Sequence, residues 1–169
     1  MTDSLDARVR RLEDRLEIQQ IFIDYGLALD AGDFDRYASL FAETGTIALG
    51  PMGKATGRLA IKELMERTME GRGGQSLHIV SSPQITFGNT GDVAHSQVMW
   101  TVVHRDKSGQ PRLTMMGRHQ DELVREDGRW WPNTTAPSTI RAALRRRWRR
   151  WVMPNSSFSP ATGCSYSET

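Results

Sequence analysis

At 169 residues and 19.1 kDa, with 38% hydrophobic and 25% charged residues, the chain has the length and composition of one ordinary globular domain, which excludes wholesale disorder. No stretch approaches the roughly 18 unbroken apolar residues of a membrane span, and the polar opening MTDSLDARVRRLEDRLE lacks the apolar run of a secretory leader, so a cytoplasmic protein is expected. The net charge of +2 divides into −3 up to Ile140 and +5 after it, where six arginines face one acid, Glu168; the basic balance belongs to a terminal segment and does not support a nucleic-acid-binding face across the domain.

Residues 5 to 30 read as one helix, with Leu5, Val9, Leu12 and Leu16, then Ile18, Ile21, Phe22, Tyr25 and Leu29, at three- and four-residue steps. Its first half carries a narrow apolar stripe, either lying on the body or forming a seam for a partner helix, while the second half is broad enough to cover a core. Gly32 is placed to end this helix and Asp33 to cap a second, Phe34 to Ala42. A short strand at Thr46–Leu49, a loop at 50–57 and a third helix at Leu59–Met69 follow, broken by the glycines at 71–74. The texture then changes to runs rich in β-branched and aromatic residues at 76–87, 92–104, 112–125 and from Trp130, separated by turn signals. Helices first and a meander after them predict an α+β fold with an antiparallel sheet. Pro132 predicts that the last strand ends or lies at an edge, with Asn133–Pro137 as loop. The domain is drawn at 1–140, with 141–169 as a basic, loosely ordered tail. The tail's Leu144, Trp148 and Trp151 stripe is expected to pack on the body or a neighbouring subunit, with contact to an anionic membrane or nucleic acid as the lesser alternative.

Several superficial signals carry no chemistry. Cys164 is the only cysteine, so an internal disulfide or a cysteine-based zinc site is impossible. The glycines of 50–57 match neither phosphate-loop nor dinucleotide spacing, and the four histidines show no metal-ligand spacing with carboxylates.

The segment Tyr25–Ala42, the strand Leu77-His78-Ile79-Val80-Ser81 and the run Gly117–Trp130 together resemble the SnoaL-like branch of the nuclear transport factor 2-like superfamily, over roughly Leu12 to Trp131. The resemblance implies a cone of curved antiparallel sheet, an α+β barrel, closed on one side by the N-terminal helices and holding a ligand pocket. The placement of Tyr25, Asp30 and His78 is similar to the scytalone dehydratase, bile-acid 7α-dehydratase and hexachlorocyclohexane dehydrochlorinase group. That group uses a His–Asp pair for elimination without metal or cofactor, and relatives suggest dimers or trimers. Two departures stand out. Trp131-Pro132-Asn133 replaces the usual alternating final strand, and the dehydrochlorinase's late arginine has no counterpart.

His78, in an otherwise apolar strand, can take a proton near neutral pH if it faces a cavity, and a carboxylate on one ring nitrogen would fix its tautomer. Asp30 is the carboxylate expected to do so. Tyr25 shares the apolar stripe of Phe22 and Leu29; five helical positions put it about 140° from Asp30 unless the helix ends there. Period-two alternation groups Met115, Gly117, His119, Asp121 and Leu123 on one strand face, without saying which face lines the pocket. His119, Trp100, Phe22 and Met115 are the expected substrate-contacting residues. The function expected is elimination of water or halide, or isomerisation, on a small, largely apolar, possibly cyclic molecule. The alternatives are a non-catalytic ligand-binding or assembly domain and an epoxide or ester hydrolase using Asp121.

Overall fold

The computed structural model describes residues 4–70 and 76–138. Helix α1 spans Leu5–Ala31; the Ser4 hydroxyl accepts the Ala7 N–H at its start, and Gly32 (φ 69°) ends it in the left-handed region that glycine tolerates best. Asp33 accepts the Arg36 N–H at 2.9 Å and caps α2, Phe34–Ser39. This helix stops short of the predicted Ala42, yet Phe41 and Ala42 are still buried, so the apolar spacing there reports packing after the helix has ended.

Strand β1 is Thr46–Ala48, and the presumed loop after it contains a 3-10 turn at Gly50–Met52 and a strand β2, Lys54–Thr56, that folds back antiparallel on β1. Three residues are too few to show an alternation, which is why this hairpin is invisible in sequence. Helix α3 covers Arg58–Thr68. The meander follows as predicted: β3 Ser76–Phe87, β4 Val93–Arg105, β5 Pro111–Glu126 and β6 Arg129–Ser138.

The six strands form one curved, open sheet in the order β2-β1-β6-β5-β4-β3, with the helices against its inner side. Two expectations need correcting. The sheet is mixed, because β1 runs parallel to β6 (Thr46 opposite Thr134, Ile47 opposite Thr135). And β6 neither ends at Pro132 nor lies at an edge; it continues to Ser138 between β5 and β1. The register slips at this point, with Leu123 opposite Pro132 and Glu122 opposite Thr134, so the residue that cannot donate to a ladder sits at an irregularity. Its carbonyl accepts the Ala42 N–H at 3.0 Å, tying the α2 exit to the sheet.

The core has two parts. One gathers Ala28, Leu29, Tyr37, Phe41, Ile47, Ile61 and Leu64 between the helices and the β1–β2 hairpin; the other gathers Ile18, Phe22, Ile85, Val98, Leu123 and Trp130 between α1 and the meander. The first half of α1 does not lie on the body through its apolar stripe. Leu5, Val9, Leu12 and Leu16 are all exposed, and the contact is made instead by Asp14, which takes the Trp130 indole N–H at 3.1 Å and pairs with Arg125. Glu17 adds a bond from the Trp130 backbone N–H at 3.0 Å. Among the described residues no helix is long and apolar enough to cross a membrane. The basic tail drawn at 141–169, with its Leu144, Trp148 and Trp151 stripe, lies outside the described residues.

Candidate functional site

Inward-facing positions on the three long strands fall into rows fixed by register: His78, Val102 and Met115; then Val80, Trp100 and Gly117; then Val98 and His119; then Ile85, Ser96 and Asp121. The burial pattern settles the question the alternation left open. Gly117, His119, Asp121 and Leu123 are the buried set on β5, so their face is the inner one.

Helix α1 crosses the first of these rows at close range. A methyl group on Gly26 would stand 3.2 Å from the His78 carbonyl oxygen, so the absent side chain lets the helix settle onto β3. One turn further on, Asp30 receives three contacts from a single residue. The His78 backbone N–H donates to both carboxylate oxygens, at 2.9 and 3.1 Å, and His78 Nδ1 lies 2.7 Å from Oδ1. The carboxylate is thus clamped by main chain and ring together, which holds the ring proton on Nδ1 and leaves Nε2 free to act. The pair is largely covered but not sealed, with side-chain exposures of 12% for His78 and 17% for Asp30, so it stands at the mouth of the interior.

Gly26→Val should therefore push α1 off β3, lower stability by about 1–3 kcal/mol and loosen the pair. The checks are thermal melting and the downfield proton resonance of His78 Nδ1, which should weaken or vanish.

A second imidazole–carboxylate pair lies deeper. His119 Nδ1 is 2.9 Å from both oxygens of Asp121, and the Ser96 hydroxyl donates to Asp121 Oδ2 at 2.6 Å; the His119 and Asp121 side chains are 4% and 1% exposed. The sequence ranks Asp121 only as a possible hydrolytic carboxylate and passes over Ser96, which stands opposite it on the neighbouring strand, two residues on from the Val98–His119 row. His119 packs against Phe22 and Tyr25, with ring centroids 5.7 and 5.6 Å away, and Tyr25 packs in turn on Tyr37 at 4.9 Å. His119 Nε2 is buried without a hydrogen-bonding partner among the described residues. With its Nδ1 turned to Asp121, His119 Nε2 is left as an acceptor for a hydroxyl donor.

Tyr25 belongs to this deeper group. Helix α1 continues through Ala31, so the 140° separation from Asp30 stands, and the ring contacts of Tyr25 are with Tyr37 and His119. Although Tyr25 as a residue is only part-buried, loss of water around the phenol pushes it up to about 12, an effect partly offset by the Tyr37 hydroxyl. Burial likewise pushes Tyr37 well above its ordinary 10.0. Both phenols stay protonated at neutral pH and can donate.

Of the other expected contacts, Phe22 is buried beside His119. Trp100 lays its indole over Gly117, where a Cβ would come within 2.5 Å of the ring, so glycine is what allows the indole to lie flat on the inner wall. Met115 is 44% exposed in the row of His78, at the rim. A cleft of about 250 Å³ between α1 and β3 is lined by Phe22, Val80 and Val98 at its inner end and by Gln19, Ile23 and Ser81 outside. It is slightly smaller than the roughly 300–1,000 Å³ usual for small-molecule sites. The roomier depression, about 610 Å³, opens mainly on the outer face among Gln84, Thr86, His95, Gln97, Gln120 and Glu122, away from the Asp30–His78 pair. Among the described residues no three His, Cys, Asp or Glu side chains converge in a metal-binding arrangement.

Residues 10–134 match the model of the SnoaL-like domain family. No curated protein matches the sequence. Solved structures do. An NTF2-like protein with a cystatin-like fold from Novosphingobium aromaticivorans is 25% identical over 85% of this chain and 94% of its own, with a TM-score of 0.73. A scytalone dehydratase-like protein from the same organism is 26% identical over 78% and 87%, TM-score 0.66. A type 2 hexachlorocyclohexane dehydrochlorinase is 17% identical over 79% and 89%, TM-score 0.69, a likeness of fold.

Proposed function

The chain belongs to the SnoaL-like domain family, and from that premise we propose that it is a lyase or isomerase whose proton chemistry is carried by its own side chains, acting on a small, largely apolar, possibly cyclic molecule. The observation that carries this reading is the 2.7 Å contact between Asp30 and His78 Nδ1, reinforced by the backbone N–H of the same histidine. Structural likeness to a scytalone dehydratase-like protein and to a dehydrochlorinase supports this class of chemistry in general.

In the proposed reaction His78 Nε2 takes a proton from a carbon next to an activating group, and Asp30 stabilises the imidazolium that forms. The electron pair of the broken C–H bond becomes the second bond of an alkene while the neighbouring C–O or C–halogen bond breaks. A departing hydroxide leaves as water after accepting a proton. Tyr25, whose phenol stays protonated at neutral pH, is the group to bind the activating oxygen or supply that proton, and His119 Nε2, with Nδ1 turned to Asp121, is placed to accept a hydrogen bond from a substrate hydroxyl. If the leaving group is absent, returning the proton to a different carbon gives isomerisation.

The test is a panel of cyclic β-hydroxy ketones, ring ketones and chlorinated rings, each incubated with the protein in deuterated water and followed by proton NMR. Elimination gives new alkene signals, and abstraction alone gives loss of the proton next to the carbonyl. A panel with neither, while the same molecules bind, would favour a ligand-binding domain of the same fold.

A further inference from the structure

Helix α1 has two apolar faces, and the proposed chemistry uses only one. At 100° per residue, Asp14, Ile18, Phe22, Tyr25 and Leu29 point to the body, whereas Leu5, Val9, Leu12 and Leu16 point roughly 150° away. Those four are 71%, 44%, 61% and 65% exposed, and Ile23, half exposed, continues their line. Their steps of four, three and four residues alternate as the d-to-a and a-to-d spacings of a heptad do, the pattern of a helix that pairs with another helix.

Written as a heptad, Val9, Leu16 and Ile23 occupy position a, and Leu5 and Leu12 position d. Within Leu5–Leu16, aliphatic Val9 and Leu16 at a with leucine at both d positions suit two parallel strands. The flanking charges fix the direction. Arg8 is at g and Asp6 and Glu13 at e, so in a parallel pair Arg8 of one helix faces Glu13 of the other, five residues on, and the reciprocal contact repeats by symmetry. An antiparallel pair would set Arg8 near Arg8 and acid near acid. The body does not obstruct the seam here: at this end of α1 its contacts run through Asp14, Glu17 and Arg15, which stacks over Phe87, all off the stripe.

We propose that residues Leu5–Leu16 form a parallel two-stranded seam with the same segment of a second copy of this chain, joining two cone domains through their projecting helices. The segment is about 18 Å long, and Gln19 at the next d position weakens its continuation, so the association is of modest strength and concentration-dependent.

Three measurements test it. The full chain should sediment as a monomer–dimer equilibrium at micromolar concentration. Leu12→Asp with Leu16→Asp should raise the dissociation constant by about 100-fold or more while the melting temperature, set by the buried face, stays near that of the parent. With Cys164→Ser as background, Leu12→Cys should cross-link to itself on mild oxidation, as a d position in a parallel pair allows and an antiparallel one does not. Charge supplies a further control: Arg8→Glu weakens the dimer and adding Glu13→Arg restores it. A chain that stays monomeric overturns the proposal, as does a Leu12→Cys variant that fails to cross-link. A dimer that survives Leu12→Asp/Leu16→Asp overturns it too, and moves the contact to another apolar patch such as Ile79, Met99 and Met116 on the outer sheet face.

Discussion

His78→Gln is expected to lower turnover by roughly 10²–10⁴-fold, the usual contribution of a positioned base, with little change in stability. The backbone N–H of residue 78 still holds Asp30 after the substitution, so the helix–strand junction survives and only the proton acceptor is lost. Asp30→Asn should cost a comparable factor for a different reason. An amide oxygen can still accept the two N–H groups, but it carries no charge to offset the imidazolium and its NH₂ side opposes the ring proton. The measurement is the rate of alkene formation or deuterium uptake on the best molecule of the panel, alongside circular dichroism. A folded His78→Gln protein turning over at the parental rate would remove the base from the mechanism.

The largest effect on stability belongs to the second pair. His119→Phe leaves the Asp121 carboxylate in the interior with Ser96 as its only side-chain hydrogen-bonding partner among the described residues, a loss expected to cost about 3–5 kcal/mol. Replacing Asp121 by Leu in the same chain removes the charge as well as its partner, and should recover at least half of that loss, because a buried pair costs most when it is broken on one side only. Urea unfolding of the parent, the single and the double variant gives the three values. Equal stability of the single variant and the parent would show that Asp121 is not held as a buried anion.

Much of this was legible in the chain. Apolar spacing marked α1, Gly32 and Asp33 marked the junction with α2, and the run of turn signals marked the meander, because each is a local property of a long element. The Asp30–His78 contact was legible only through resemblance. It joins residues 48 positions apart, and nothing in either neighbourhood says they meet. Pro132 misled for a physical reason: proline argues against a central strand only where the ladder is regular, and here the register shifts beside it. The first half of α1 presented both readings of its stripe, and burial by Asp14 and Glu17 in place of the leucines decides against the body. Ser96 and Asp121 escaped because a buried serine–carboxylate bond has no sequence signature; their pairing depends on a strand register that only the folded sheet supplies.

The missing side chain at Gly26 has a wider meaning. The gap between α1 and β3 is both the seat of the acid–imidazole contact and one wall of the cleft, so the width of a single residue couples the reach of the base to the size of molecule admitted. Enlarging position 26 would be felt at the scissile bond and at the doorway together. New substrate shapes are therefore more cheaply accommodated at Trp100 of β4, one row further in than His78, where a smaller side chain widens the inner wall without touching the Asp30–His78 contact.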